Sequence, residues 1–131
     1  MKYLLDTNTC VYALKRRGSV VDRMREHAPD DFAVPIVTVA ELWFGALKSS
    51  RPEANRRSID AFLKPFEVLP FESGAAEAYS RLRLALERAG RPIGERDLLI
   101  ASIAFARRLT VVTHNVSEFG RVPGLQVEDW A

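Results

Sequence analysis

Five short apolar runs punctuate this chain, at residues 3 to 5, 32 to 34, 67 to 69, 110 to 113 and 125 to 127, and the segments between them carry helix signals. No other feature constrains the fold as strongly. Parallel strands need crossover helices, so short strands alternating with helices imply an α/β fold with a parallel sheet covered on both faces. Helices are expected over residues 6 to 14, 19 to 28, 38 to 48, 52 to 64, 73 to 89 and 95 to 108. Pro52 sits at the favoured first-turn position of the fourth. Ala75, Tyr79, Leu82 and Leu86 recur at helical spacing in the fifth, which Gly90 stops. Thr38-Val39-Ala40-Glu41 has the capping-box pattern and is expected to open the third.

This topology has a geometric consequence. Right-handed crossovers start each helix at the edge where strands end, so helix N-termini gather along the carboxyl edge of the sheet, where open α/β sheets bind ligands. Asp6 follows the first strand, Glu41 lies near the start of the third helix and Asp97 near the start of the sixth. Asn115 and Glu118 follow the strand that ends at Thr113, so they map to the same edge. Each acid has a structural reading as well, since Asp6 can cap a helix and Asp97 suits the positive end of a helix dipole. Carboxylates brought together repel one another and raise their own pKa values, a cost that a cation relieves. An all-oxygen donor set favours Mg²⁺ or Mn²⁺ over zinc. Thr7, Asn8 and Thr113 offer neutral oxygens and amides around that position, and act equally well as caps or turn residues.

Composition narrows the classes. The 131 residues fit one domain, expected over residues 1–131, and 47% hydrophobic content supplies a real core. A net charge of +2 does not by itself mark a nucleic-acid binder. Cys10 is the only cysteine, which rules out an intrachain disulfide and a cysteine zinc cluster; it reads as a small core residue. Asp6 interrupts the first apolar run before signal-peptide length and no stretch is long enough to span a bilayer, so a cytoplasmic location without membrane association is expected.

The motifs LLDTNTCVYAL, VTVAELWFGALKS, PIGERDLLIASIA and VVTHNVSEFGRVPGLQVEDW occur in that order. Together they resemble a PIN-domain ribonuclease toxin of the VapC type, over nearly the whole chain. The opening LLDTNTC and closing VPGLQVEDW are similar to the subgroup that cuts initiator tRNA in its anticodon loop. The resemblance implies a five-stranded parallel sheet flanked by helices and metal-assisted hydrolysis of RNA phosphodiester bonds that leaves 5′-phosphate ends. It places the metal carboxylates at Asp6, Glu41 and Asp97, with Asn115 at a position where the family often has an acid, and Glu118 as the acid of the N-x-x-E-F segment. Mg²⁺ is the implied cofactor, with Mn²⁺ as a substitute. The implied partners are an RNA substrate, with tRNA favoured, a VapB-type antitoxin, and a second copy of the chain in a homodimer. Trp43 and Phe44 could contribute to an antitoxin groove, although aromatic residues at helical spacing usually face inward and at least one is expected in the core.

Three other chemistries fit parts of the sequence. His27 and His114 could act as general acid and base in a metal-independent ribonuclease. An acid at a strand end also suits a phosphoaspartyl phosphatase or a receiver-like signalling domain using Asp6. The phosphatase pattern wants a second Asp where this chain has Asn8, and the receiver pattern wants a late Lys where none follows Lys64.

Overall fold

The computed structural model describes all 131 residues. Five strands, β1 (Tyr3–Leu5), β2 (Phe32–Pro35), β3 (Glu67–Leu69), β4 (Thr110–Val112) and β5 (Val127–Glu128), form one sheet in the order β3-β2-β1-β4-β5. Every neighbouring pair is parallel, with Leu4 opposite Ala33 on one side and Val111 on the other. Successive side chains of a strand point to opposite faces. Leu4, Ala33 and Val111 therefore pack against α5 (Ser73–Arg88), α6 (Glu95–Arg107) and α7 (Val116–Phe119). Leu5, Val34 and Val112 pack on the other face against α1 (Thr7–Leu14), α3 (Ile36–Leu47) and α4 (Pro52–Leu63). The buried sets hold 16 and 13 residues, so neither face is left to solvent, as the apolar character of the strands demands. No helix is long and apolar enough to cross a membrane.

The strand order reverses between β1 and β4: the chain runs outward from β1 to β2 and β3, then returns to β1's other side. Helices leaving β1 and β4 diverge to opposite faces there and open a cleft at the carboxyl edge.

Some boundaries differ from the sequence reading. The third helix starts at Ile36, after Pro35 in extended conformation, so Thr38 lies within it and is fully buried. The expected capping box is therefore not formed, and Glu41 stands in the second turn rather than the first. The helix α2 covers only Val20–Met24, because tight turns at Glu26 and His27 follow and Ala28 before Pro29 is extended. The last strand begins at Val127 rather than at 125, because Gly124, at φ +80°, turns the chain before it can join β4. The short α7 lacks the length to show a period and buries Phe119 completely. Cys10 is buried, as expected, whereas Trp43 and Phe44 both sit on the outer side of α3 at 36% and 59% exposure. Trp43 stays outside because its ring stacks beneath the Arg56 guanidinium and its Nε1 donates to Asp60 at 3.0 Å, both partners being on the surface of α4.

Candidate active site

The central strand β1 delivers Asp6 to the point of reversal. The backbone N–H of Asp6 continues the ladder to Val112 O at 3.2 Å, and its carboxylate caps α1 by accepting from the Thr9 N–H at 2.9 Å. The capping role expected for Asp6 is thus real. It leaves the second carboxylate oxygen for other partners, and the Thr113 hydroxyl also bonds this carboxyl. Thr9 ties the arrangement down by donating its hydroxyl to Val112 O at 2.9 Å. Asp6 is only 3% exposed. Burial pushes its pKa up and the nearby charge of Asp129 adds to the rise, while the bonds from Thr113 and Thr9 oppose it.

A second group of acids meets beside it. The first turn of α6 presents Asp97, and the loop after β4 presents Asn115, whose Nδ2 donates to Asp97 Oδ2 at 3.0 Å and to Glu118 Oε2 at 2.9 Å. Asn115 is itself anchored by its N–H to Thr113 Oγ1 at 2.9 Å. The amide acts as a clip between two carboxyls that would otherwise repel. Burial, the adjoining Glu118 carboxyl and the charge of Asp6 together raise the Asp97 pKa to about 7. Glu118 is held below the usual range by hydrogen bonds from Asp97, Asn115 and the Gly94 backbone, helped by the charge of Arg121. The two carboxyls thus favour one proton between them over two adjacent negative charges. A Cβ at Gly94 would lie 3.8 Å from Glu118 Oε2 and 4.0 Å from Asp97 Oδ2, so this glycine keeps the approach to the acids low.

Glu41 completes the set in a different way. Its Oε2 accepts from Arg96 Nη1 at 2.6 Å, across the mouth of the cleft. The expected gathering of Asp6, Glu41 and Asp97 is accordingly met only in part, and no three acidic, histidine or cysteine side chains stand close enough to cage an ion. The physical reason lies in the first turn of α6: Arg96 neighbours Asp97 and supplies Glu41 with a counter-charge. Thr7 and Thr38 join their hydroxyls at 3.1 Å between α1 and α3, and Asn8 is exposed on the first turn of α1. The sequence alone does not single out Arg96, Asp129 or Gly94 as site residues, whereas Thr9 belongs to the polar run from Asp6 that can both cap the first helix and line a site. Arg96 has a readable signal, since it lies directly beside Asp97 at a helix start.

The donor set suits a hard divalent cation. Its members are carboxylate and hydroxyl oxygens, and the raised pKa of Asp97 marks a place where negative charge is in excess. The histidines do not form a catalytic pair: His27 stacks on Trp130 with its Nδ1 3.8 Å from Asp31, whereas His114 pairs with Asp129 at 3.1 Å.

Comparison with known proteins follows the same lines. The PIN-domain profile matches residues 3–125. The chain is 41% identical to ribonuclease VapC2 of Rickettsia felis over 132 aligned residues, covering 99% of this chain and 98% of that protein. It is 37% identical over 130 residues to the tRNA(fMet)-specific endonuclease VapC of Salmonella typhimurium, covering 99% and 98%. The crystal structure of VapBC2 from Rickettsia felis, bound to a DNA fragment from its promoter, superposes with a TM-score of 0.93 at 40% identity, over 100% of both chains.

Proposed function

The chain belongs to the PIN-domain family, among the VapC-type ribonucleases, and from that premise we propose that it is the toxin of a toxin–antitoxin pair and cleaves RNA by divalent-metal-assisted phosphodiester hydrolysis. The observation that carries this reading is the buried Asp6 at the strand-order reversal, facing the Asp97–Asn115–Glu118 cluster.

Asp6 and Asp97 would hold the ion, Mg²⁺ or Mn²⁺, with Glu41 as the third carboxylate once released from Arg96. When bound, such an ion supplies Lewis-acid polarisation of the phosphate and a more acidic water. The protein's own part is positioning. Thr9 and Thr113 fix one rotamer of Asp6, and Asn115 and Glu118 fix Asp97, so the site loses little freedom when it is loaded. Glu118 accepts from the Asn115 amide and so keeps that clip in place, while the proton that Asp97 gives up on loading passes to solvent. Thr7 and Asn8 line the rim where a substrate strand would lie, and the N-terminus of α6 would direct backbone N–H groups toward its phosphate oxygens; Thr113, expected beside them, is fully buried and holds Asn115 instead of reaching substrate. Attack with departure of the 3′ oxygen leaves a 5′-phosphate.

The relative named as tRNA(fMet)-specific supports a tRNA substrate, with the initiator tRNA anticodon loop favoured. The likeness to VapBC complexes supports a VapB-type antitoxin, and a homodimer is proposed with it. The test is cleavage of purified tRNA followed by end-group mapping. Mg²⁺-dependent cuts bearing 5′-phosphates are expected, stopped by a chelator and lost in Asp6→Ala and Asp97→Asn proteins that retain wild-type circular dichroism. Cleavage that persists in chelator with cyclic phosphate ends would refute the metal route.

A further inference from the structure

Arg96 is the arginine bonded to one of the three carboxylates expected to hold the metal. Most other arginine pairs on this surface join neighbours on one helix turn, as in Arg56 with Asp60, Arg81 with Glu77 and Arg83 with Glu87. The pair between Arg96 and Glu41 spans 55 residues and links α6 to α3. Its 2.6 Å separation is shorter than that of any other ion pair in the protein. Its two ends also differ in setting: the Glu41 side chain is 21% exposed and that of Arg96 73%. The carboxylate is therefore embedded while the guanidinium reaches in from solvent, with donors to spare along the line by which a strand of RNA would enter. A guanidinium fork matches phosphate as well as it matches carboxylate.

We propose that Arg96 exchanges partners during loading of the site: it neutralises Glu41 while no divalent cation is present, and turns to a phosphate of the RNA when the cation takes Glu41. This inference rests on the metal-dependent reading above and adds to it a substrate-binding residue whose availability is set by metal occupancy. The exchange is electrostatically favourable at each stage, because Glu41 never lacks a positive neighbour and Arg96 never lacks a negative one. A mostly exposed ion pair contributes about 1 kcal/mol at most, so the competition is mild and the exchange reversible.

The test is a Mn²⁺ titration of the purified chain without RNA, following the signal of free Mn²⁺ by electron paramagnetic resonance, for wild type, Arg96→Gln, Glu41→Gln and the double variant. Arg96→Gln is expected to bind Mn²⁺ roughly two- to fivefold more tightly than wild type, the range an exposed pair allows. In the Glu41→Gln background the same substitution is expected to change nothing. With Mn²⁺ saturating, the Arg96→Gln KM for RNA is expected to rise roughly tenfold, the loss of one charge-assisted contact. Unchanged or weaker Mn²⁺ binding by Arg96→Gln, a gain that persists without Glu41, or an unchanged KM would each overturn the exchange while wild type still bound metal and cut RNA. If wild type bound no Mn²⁺ at all, the metal-dependent reading itself would fall and the exchange with it.

Discussion

Asp97 is the residue whose protonation most sensitively reports the state of the site. Burial and the Glu118 carboxyl lift its pKa from 3.8 to about 7, so across that window the folded protein keeps a proton that the unfolded chain has released. Stability of the cation-free protein therefore falls as pH rises through the window. Urea denaturation in chelator between about pH 5 and about pH 8 is expected to show that fall. Asp97→Asn should flatten it, and Mg²⁺ should offset it in wild type by replacing the proton. By the same linkage, calorimetry in buffers of different ionisation enthalpy should detect proton release on Mg²⁺ binding below about pH 7, absent at higher pH. At this scale the sequence was informative about where acids stand and silent about what they touch. Asp6, Asp97, Asn115 and Glu118 were legible because each follows a strand or opens a helix. That Asn115 would clip two carboxyls together, or that Arg96 would engage Glu41, depends on side chains from segments far apart in the chain, and no local pattern encodes that.

Among the elements, α6 shows how a helix can be well specified at one end and strained at the other. It begins after Gly94 with two acids in its first turn, which suits the helix dipole, and it ends at Arg108 in the left-handed conformation, φ 56° and ψ 41°. A residue with a Cβ is disfavoured there by about 1–2 kcal/mol, and glycine carries no such cost but loses more entropy on folding. Arg108→Gly is accordingly expected to stabilise the protein by about 0.5–1 kcal/mol, read as a higher Tm with RNA cleavage unchanged. The strands and the long helices were legible because their apolar spacing is periodic. The start of α3 was misplaced because Thr38 and Glu41 match a capping pattern that Pro35 pre-empts: proline ends β2 already extended, the helix starts at once, and Thr38 turns its hydroxyl to Thr7 instead. A capping motif states which side chains can cap, whereas the preceding backbone decides whether they do.

For the molecule as a whole, the C-terminal segment closes one face of the core. Trp130 is 2% exposed, stacks with His27 and meets Tyr3 edge-on, and its carbonyl accepts from the Ser19 hydroxyl at 2.8 Å. Trp130→Ala is expected to cost about 3–5 kcal/mol, seen as a lower denaturation midpoint with the same dependence on denaturant concentration. An unchanged midpoint would show that the face closes without this ring. The layered architecture was legible from strand and helix alternation, but the dependence of the first strand on the last residues was not, because it arises only when the sheet closes. It carries a timing consequence. The strand bearing Asp6 lies between β2 and β4 and bonds to Val112, so a nascent chain emerging from the ribosome holds its first aspartate unpartnered on that side until some 110 residues have been made. The acids of the cleft therefore cannot come together until β4 and the loop after it have been made, because Asp6 and Asn115 are joined only through that strand.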